Sequence, residues 1–306
     1  MNQSELQNTF KSSDTEEPID IYFYRRLGYR VALFSAKHKI RPNTITIISI
    51  FWGVLAGHLY YYNNIWINVL GIIALIIANT LDSADGQLAR MTNDKTELGR
   101  ILDGLAGNLW FLSIYIHIGL RLTHNGFGPW IWIIGIITGI SHIFQAAIAD
   151  YYRNGHLYFV KGEGGNEFRS SRDIKKEYEQ LSWRKNFWMK LFMYFYHNYT
   201  REQELFTGNL QKLVSFIHNK YPNQMPQWLR EGFRTENKPL MKYTNILSFN
   251  TRAIALWISI LIQLPLLYWY FELTVLNIIL IYTILKQQAI SKKYLNLLQR
   301  EVIQDV

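Results

Sequence analysis

Apolar positions gather into six stretches, roughly Thr44–Tyr62, Trp66–Leu81, Leu98–Leu120, Trp130–Ala149, Ala253–Tyr270 and Val275–Leu285, with polar residues at their ends. Some fall a little short of the roughly 20 residues that cross a bilayer as a helix. Six of them are nonetheless hard to bury in a soluble domain of this size. The pattern predicts an all-α integral membrane protein with six transmembrane helices.

Three polar regions frame those spans. Residues 1–19 read as a disordered N-terminus. Residues 20–42 mix aromatics with Arg and Lys, as an amphipathic juxtamembrane helix on the inner leaflet would. Residues 43–150 then hold helices 1–4, and 151–250 form a helical insert between helices 4 and 5. Residues 251–290 hold helices 5 and 6, and 291–306 form a tail. Within the insert, 172–198 and 201–220 look helical, and an aromatic run at 183–199 suggests a helix half-sunk in headgroups or against the membrane core.

Composition sharpens this reading. Charged residues are 18% of the chain, below the usual quarter, and 10 Trp and 20 Tyr fit membrane interfaces. There is no cysteine, which excludes disulfides, thiolate metal sites and cysteine nucleophiles. The acidic residues among the first 20 argue against a secretory leader. The net charge of +9 is explained by topology rather than nucleic acid. With both termini inside, 31 of the 32 Lys and Arg residues lie on the inner side, and Arg121 alone lies outside. By the positive-inside rule both termini and the insert are cytoplasmic. The expected location is the inner (cell) membrane of a bacterium.

The chemistry concentrates where the second span ends and the third begins. Asp82, Asp85, Gly86 and Ala89 recur at helical spacing and share one face, as do Gly99 and Asp103 on the next helix. Ionisable groups at the membrane edge mark functional sites. Three carboxylates aimed at one point repel unless a cation joins them, and oxygen ligands favour Mg²⁺ or Mn²⁺. The small residues leave room for a ligand or a neighbouring backbone.

Asp82, Asp85, Gly86, Ala89, Arg90, Gly99 and Asp103, in the spacing D-x2-D-G-x2-A-R-x8-G-x3-D, resemble the signature of the CDP-alcohol phosphotransferase family. The element Arg41-Pro42-Asn43-x2-Thr46 and the six-span architecture are similar to it as well. The insert lies outside the resemblance. The resemblance implies an enzyme that moves a phospho-alcohol group from a CDP-linked donor to an acceptor alcohol or lipid, releasing CMP in phospholipid or phosphosphingolipid headgroup synthesis. It implies that Asp82, Asp85 and Asp103 hold divalent metal while Asp82, Asp85, Gly86, Ala89, Arg90 and Gly99 bind substrate. Membrane lipids, and a second copy in a homodimer, are the other implied partners.

One position departs from that signature. The family's fourth Asp, metal ligand and general base, would stand at 107, where this chain has Gly107 followed by Asn108. Three readings follow. In the first, a shifted motif places Asn108 at the site through a local distortion such as a π-bulge, and catalysis rests on Asp103 and Asn108. In the second, the base comes from elsewhere, with His142 and Asp150 as candidates. In the third, the chain is a catalytically impaired relative that binds nucleotide or lipid without turnover.

Other signals carry less. His142 and Gln145 inside the fourth span read as interhelical hydrogen-bonding groups rather than an acceptor pocket, and His58 reads as structural. The glycine-rich run at 161–169 reads as a linker, and Arg169, Arg172, Lys175 and Lys176 as a solvated basic face. A transporter finds no support, because the hydropathy shows no inverted repeat.

Overall fold

The computed structural model describes residues 12, 14–94, 96–162, 170–221 and 224–304. The expected N-terminal disorder therefore concerns residues that lie largely outside those described, as does most of the glycine-rich run. Among the described residues the chain is helical and contains no strand. It divides into two compact units, one of Met1–Ile143 and Arg252–Leu273, the other of Phe144–Thr251 and Thr274–Val306.

In the first unit, a π-turn at Asp20–Tyr24 leads into α1 (Arg25–Lys37), followed by α2 (Pro42–Leu59), α3 (Ile65–Thr92) and α4 (Glu97–His124). Each start has a local cause. Pro42 stands in the first turn of α2, where its missing N–H costs nothing. The Asn64 side chain caps α3 by accepting from the backbone N–H of Trp66 at 2.9 Å, and Thr96 caps α4 by accepting from Gly99 at 2.9 Å. Asn93, at φ 54°, ends α3 in the left-handed conformation that Asn tolerates.

Packing in this unit uses glycine sockets. The indole of Trp110 on α4 fills the place a side chain would take at Gly53 on α2, and Ser113 does the same at Gly57. Small residues let transmembrane helices approach closely where hydrophobicity alone gives no preference. Arg121, the basic residue expected outside, is only 1% exposed. Its guanidinium donates to Asn63 Oδ1 (2.8 Å), the Tyr60 carbonyl (3.2 Å), Asn68 Oδ1 (3.2 Å) and Gln263 Oε1 (2.6 Å). It ties connecting segments together rather than facing solvent.

A second buried charge lies in the same unit. Arg252 and Glu272, 1% and 0% exposed, pair at 2.6 Å. Tyr268 donates to Glu272 at 2.5 Å, Tyr115 donates to it as well, and Arg252 Nη1 lies 2.8 Å from His142 Nδ1. His142 is thus one of the interhelical hydrogen-bonding groups that its sequence position suggests.

Helix α5 (Trp130–Lys161) begins in the first unit. The second unit holds α6 (Ser171–Gln180), α7 (Phe187–Glu204), α8 (Gly208–Lys220) and α9 (Gln227–Ile246). Helices α10 (Phe249–Leu261) and α11 (Leu266–Phe271) lie largely in the first unit, and after a π-turn at Glu272–Leu276 the second unit ends with α12 (Asn277–Gln304), which packs on α8 and α9. Gln145 donates to Asn277 Oδ1 at 2.7 Å within this unit.

Among the described residues, five helical segments are long and apolar enough to cross a membrane: Pro42–Leu59, Ile65–Thr92, Leu102–His124, Trp130–Lys161 and Leu266–Glu301. The last two stretches of the sequence pattern need redrawing. The chain turns at Gln263, where φ is 59°, and Pro265 starts the next helix. Residues 271–274, expected as a connection, are continuous helix instead. Glu272, in the gap between the two apolar runs, has its charge matched inside the protein by Arg252. Helix α10 has 13 residues, about 20 Å at 1.5 Å each.

Candidate metal and nucleotide site

The C-terminal half of α3 and the start of α4 bring Asp82, Asp85 and Asp103 together. One ligand oxygen from each lies within 4.8 Å of the others. Asp85 is buried, Asp82 half-buried and Asp103 exposed, so the cluster grades from protein interior to surface. Like charges this close are unfavourable in a medium of low dielectric, and a shared cation removes the repulsion. The donor set is all oxygen and its spacing suits ligands around one or two small hard ions, so these residues fit Mg²⁺ or Mn²⁺.

The innermost carboxylate is anchored. Thr46 Oγ1, buried on α2, donates to Asp85 Oδ2 at 2.5 Å. From behind, α1 packs against the turn that carries the aspartates. Gly28 has no room for a side chain without crowding Ser83 and Ala84 at 3.1 Å, and Gln87 Nε2 donates to the Arg25 carbonyl at 3.1 Å. Ala32, Ile45, Ala84 and Leu88 form the apolar core beneath. The carboxylates therefore sit on a backbone clamped by two neighbouring helices. The sequence offered Thr46 as part of the approach to the first span, but nothing in it gave the contact to Asp85.

The small residues differ in what they permit. The nearest atoms a side chain built on Gly86 would meet are those of the Arg90 guanidinium, at 3.4 Å and 3.5 Å, a flexible group rather than a neighbouring backbone. Ala89, seven residues after Asp82, continues the aspartate face, and Arg90 lies along it. Gly99 differs: the space it leaves is taken by Asn43, whose Oδ1 would lie 2.6 Å from an added Cβ. Asn43 also donates to Thr96 Oγ1 at 3.4 Å, joining the starts of α2 and α4.

The structure does not bring Asn108 to this cluster. Helix α4 is a regular α-helix from Glu97 to His124, without the distortion a shifted motif requires. At 3.6 residues per turn, position 108 lies about 140° around the helix from Asp103, whereas 107 lies about 40° away. The Asn108 amide instead donates to the Gly104 carbonyl at 3.1 Å on its own helix. Gly107 stands on the face of Asp103, and nothing lies within 4 Å of where its Cβ would be. Of the two alternative bases, His142 is held in the buried Arg252–Glu272 network. Asp150, in the second unit, accepts from Asn154 and Gln203, each at 3.2 Å.

Residues 39–156, which include Asp82, Asp85, Asp103 and Gly107, match the family model described as CDP-alcohol phosphatidyltransferase. Over 81 residues the chain is 35% identical to an uncharacterized protein of Aquifex aeolicus, covering 26% of this chain and 40% of that one. It is 27% identical over 97 residues to a provisionally named cardiolipin synthase of Mycobacterium tuberculosis, covering 32% and 44%. It is 34% identical over 91 residues to an archaetidylinositol phosphate synthase of Pyrococcus horikoshii, covering 30% and 47%. The matches therefore span less than half the length of these curated relatives.

Proposed function

We propose that residues 39–156, which match the CDP-alcohol phosphatidyltransferase family model, form such a domain, and that the chain transfers a phospho-alcohol group from a CDP-linked donor to an acceptor alcohol in phospholipid headgroup synthesis. The observation that carries the reading is the convergence of Asp82, Asp85 and Asp103 within that domain.

In this reading the three aspartates hold Mg²⁺ or Mn²⁺. Bound there, the ion would supply charge neutralisation for the donor diphosphate and polarise its phosphorus. Gly86 and Ala89 let the diphosphate approach the helix surface, and the Arg90 guanidinium, which lies along Gly86, pairs with its oxygens. Asn43 at Gly99 fixes the start of α4 and so the placement of Asp103. Thr46 keeps Asp85 turned toward its neighbours. The acceptor oxygen bonds to the β-phosphorus as the bond to CMP breaks, CMP leaves with the electron pair, and the acceptor proton must be removed. With glycine at 107, the carboxylates on this face are those already assigned to metal, so proton removal is slow.

The test is direct. Purified protein with Mg²⁺ is incubated with a panel of CDP-linked donors and alcohols, and CMP is measured. Metal-dependent CMP release that EDTA stops and Asp85→Asn abolishes is expected. The reading fails if neither the chain nor its Gly107→Asp variant releases CMP from any pair.

The basic-residue asymmetry supports a cytoplasmic site, cytoplasmic termini and an inner-membrane location, with α10 as the sixth crossing. Cysteine introduced at Asn125 is expected to react with an impermeant thiol reagent added to intact cells, and cysteine at Lys175 only after lysis. The reverse pattern would invert the topology.

A further inference from the structure

Helix α7 is buried on one face, where Met193, Thr200 and Gln203 lie inside the protein, and carries exposed rings on the opposite one. On the far side Phe187, Trp188, Tyr194 and Phe195 are 50%, 67%, 47% and 48% exposed. Positions 187 and 194, like 188 and 195, are seven apart, so the four rings make one continuous stripe. Trp183, just before the helix and 45% exposed, extends it, and Lys190 lies 5.6 Å from its ring.

We propose that this stripe is a membrane-binding surface, seated in the headgroup layer of an anionic bilayer. Three features favour that occupant. First, the rings are of the type that fills the boundary between lipid and water: Trp and Tyr join an apolar body to a polar tip. Beyond Trp130 at its start, the exposed large apolar positions on the span helix α5 are aliphatic by contrast, including Ile133, Ile136 and Ile140. Second, exposed cations flank the stripe, Arg184 and Lys185 before it and Arg201 near its end. Such residues attract anionic headgroups and extend toward them while the rings sink. Third, a contiguous apolar face on a helix already packed on its other side marks an interaction site. The proposal goes beyond the transferase reading, since no step of that chemistry enters it.

The cysteine-free chain makes the test clean. Single-cysteine variants Trp188→Cys, Phe195→Cys, Lys175→Cys and Phe51→Cys carry a nitroxide and are reconstituted in phosphatidylethanolamine–phosphatidylglycerol vesicles. Accessibility to oxygen, which partitions into lipid, is compared with accessibility to a water-soluble nickel complex. Labels at 188 and 195 are expected to favour oxygen over nickel several-fold, as the span position 51 does, while 175 favours nickel. Nickel access at 188 and 195 equal to that at 175 would place the stripe in water and overturn the proposal. Exclusion of both reagents there would mean that a second copy or another protein covers it, which also overturns it. Loss of the oxygen preference at 51 as well would overturn the membrane reading together with this surface.

Discussion

Gly107→Asp is expected to raise metal-dependent CMP release by about 10²–10⁴-fold, the usual value of a positioned general base. The substitution places a carboxylate on the face of Asp103, one turn further along α4. No steric obstacle stands in its way, because nothing lies within 4 Å of the new Cβ. An Asp also has better helix propensity than the Gly it replaces. Asn108→Asp is the control. Its side chain lies well around the helix and hydrogen-bonds to Gly104, so little change in turnover is expected. The two variants add the same charge at adjacent positions, and a gain at 108 rather than 107 would mean that α4 distorts during catalysis. High activity in the unchanged chain would require a base outside the motif.

Glu272→Ala is expected to lower stability by about 3–5 kcal/mol, the usual cost of stranding one partner of a buried ion pair. Arg252 is 1% exposed, and removal of Glu272 takes away the carboxylate that its guanidinium pairs with at 2.6 Å. Water cannot reach it without opening the packing. Replacing both partners by apolar residues, as in Arg252→Met with Glu272→Leu, removes the charges together and should recover most of the loss. Thermal unfolding of the detergent-purified variants reads both effects. A single variant that melts like the parent would show the pair to be energetically neutral. The loss should be seen at saturating Mg²⁺ as well as without it, because the pair is separate from the aspartate cluster.

Much of the site was legible because helical periodicity is geometric. Once 82–92 and 97–103 are helices, the spacing of Asp82, Asp85 and Asp103 leaves few arrangements in which they do not share a surface. The position of Asn108 was not legible, since whether a glycine bends its helix depends on its neighbours. The span boundaries near 262–276 were misplaced for a related reason. Hydropathy treats any charge as a break, and it cannot know that Arg252 lies where it can match Glu272. Arg121 was placed by charge alone, although its four hydrogen bonds make it an internal tie. Thr46 and Asn43 act through contacts between segments far apart in the chain, which no local pattern encodes.

The Gly53–Trp110 socket has a metric consequence. Thr46 lies seven residues before Gly53 on α2, and Asp103 lies seven before Trp110 on α4. The contacts between these helices, from Asn43 with Gly99 to Gly57 with Ser113, advance together, so the two run in the same direction. Equal arms of about 10 Å therefore reach from the socket to the hydroxyl that holds Asp85 and to the outermost aspartate. The tryptophan acts as a gauge pin, setting the height at which the aspartates meet from two turns away. Inserting one residue into the α4 arm would move Asp103 by about 1.5 Å and turn it by about 100°, dispersing the cluster while leaving every carboxylate in the sequence, and the same insertion into the α2 arm would take Thr46 off Asp85.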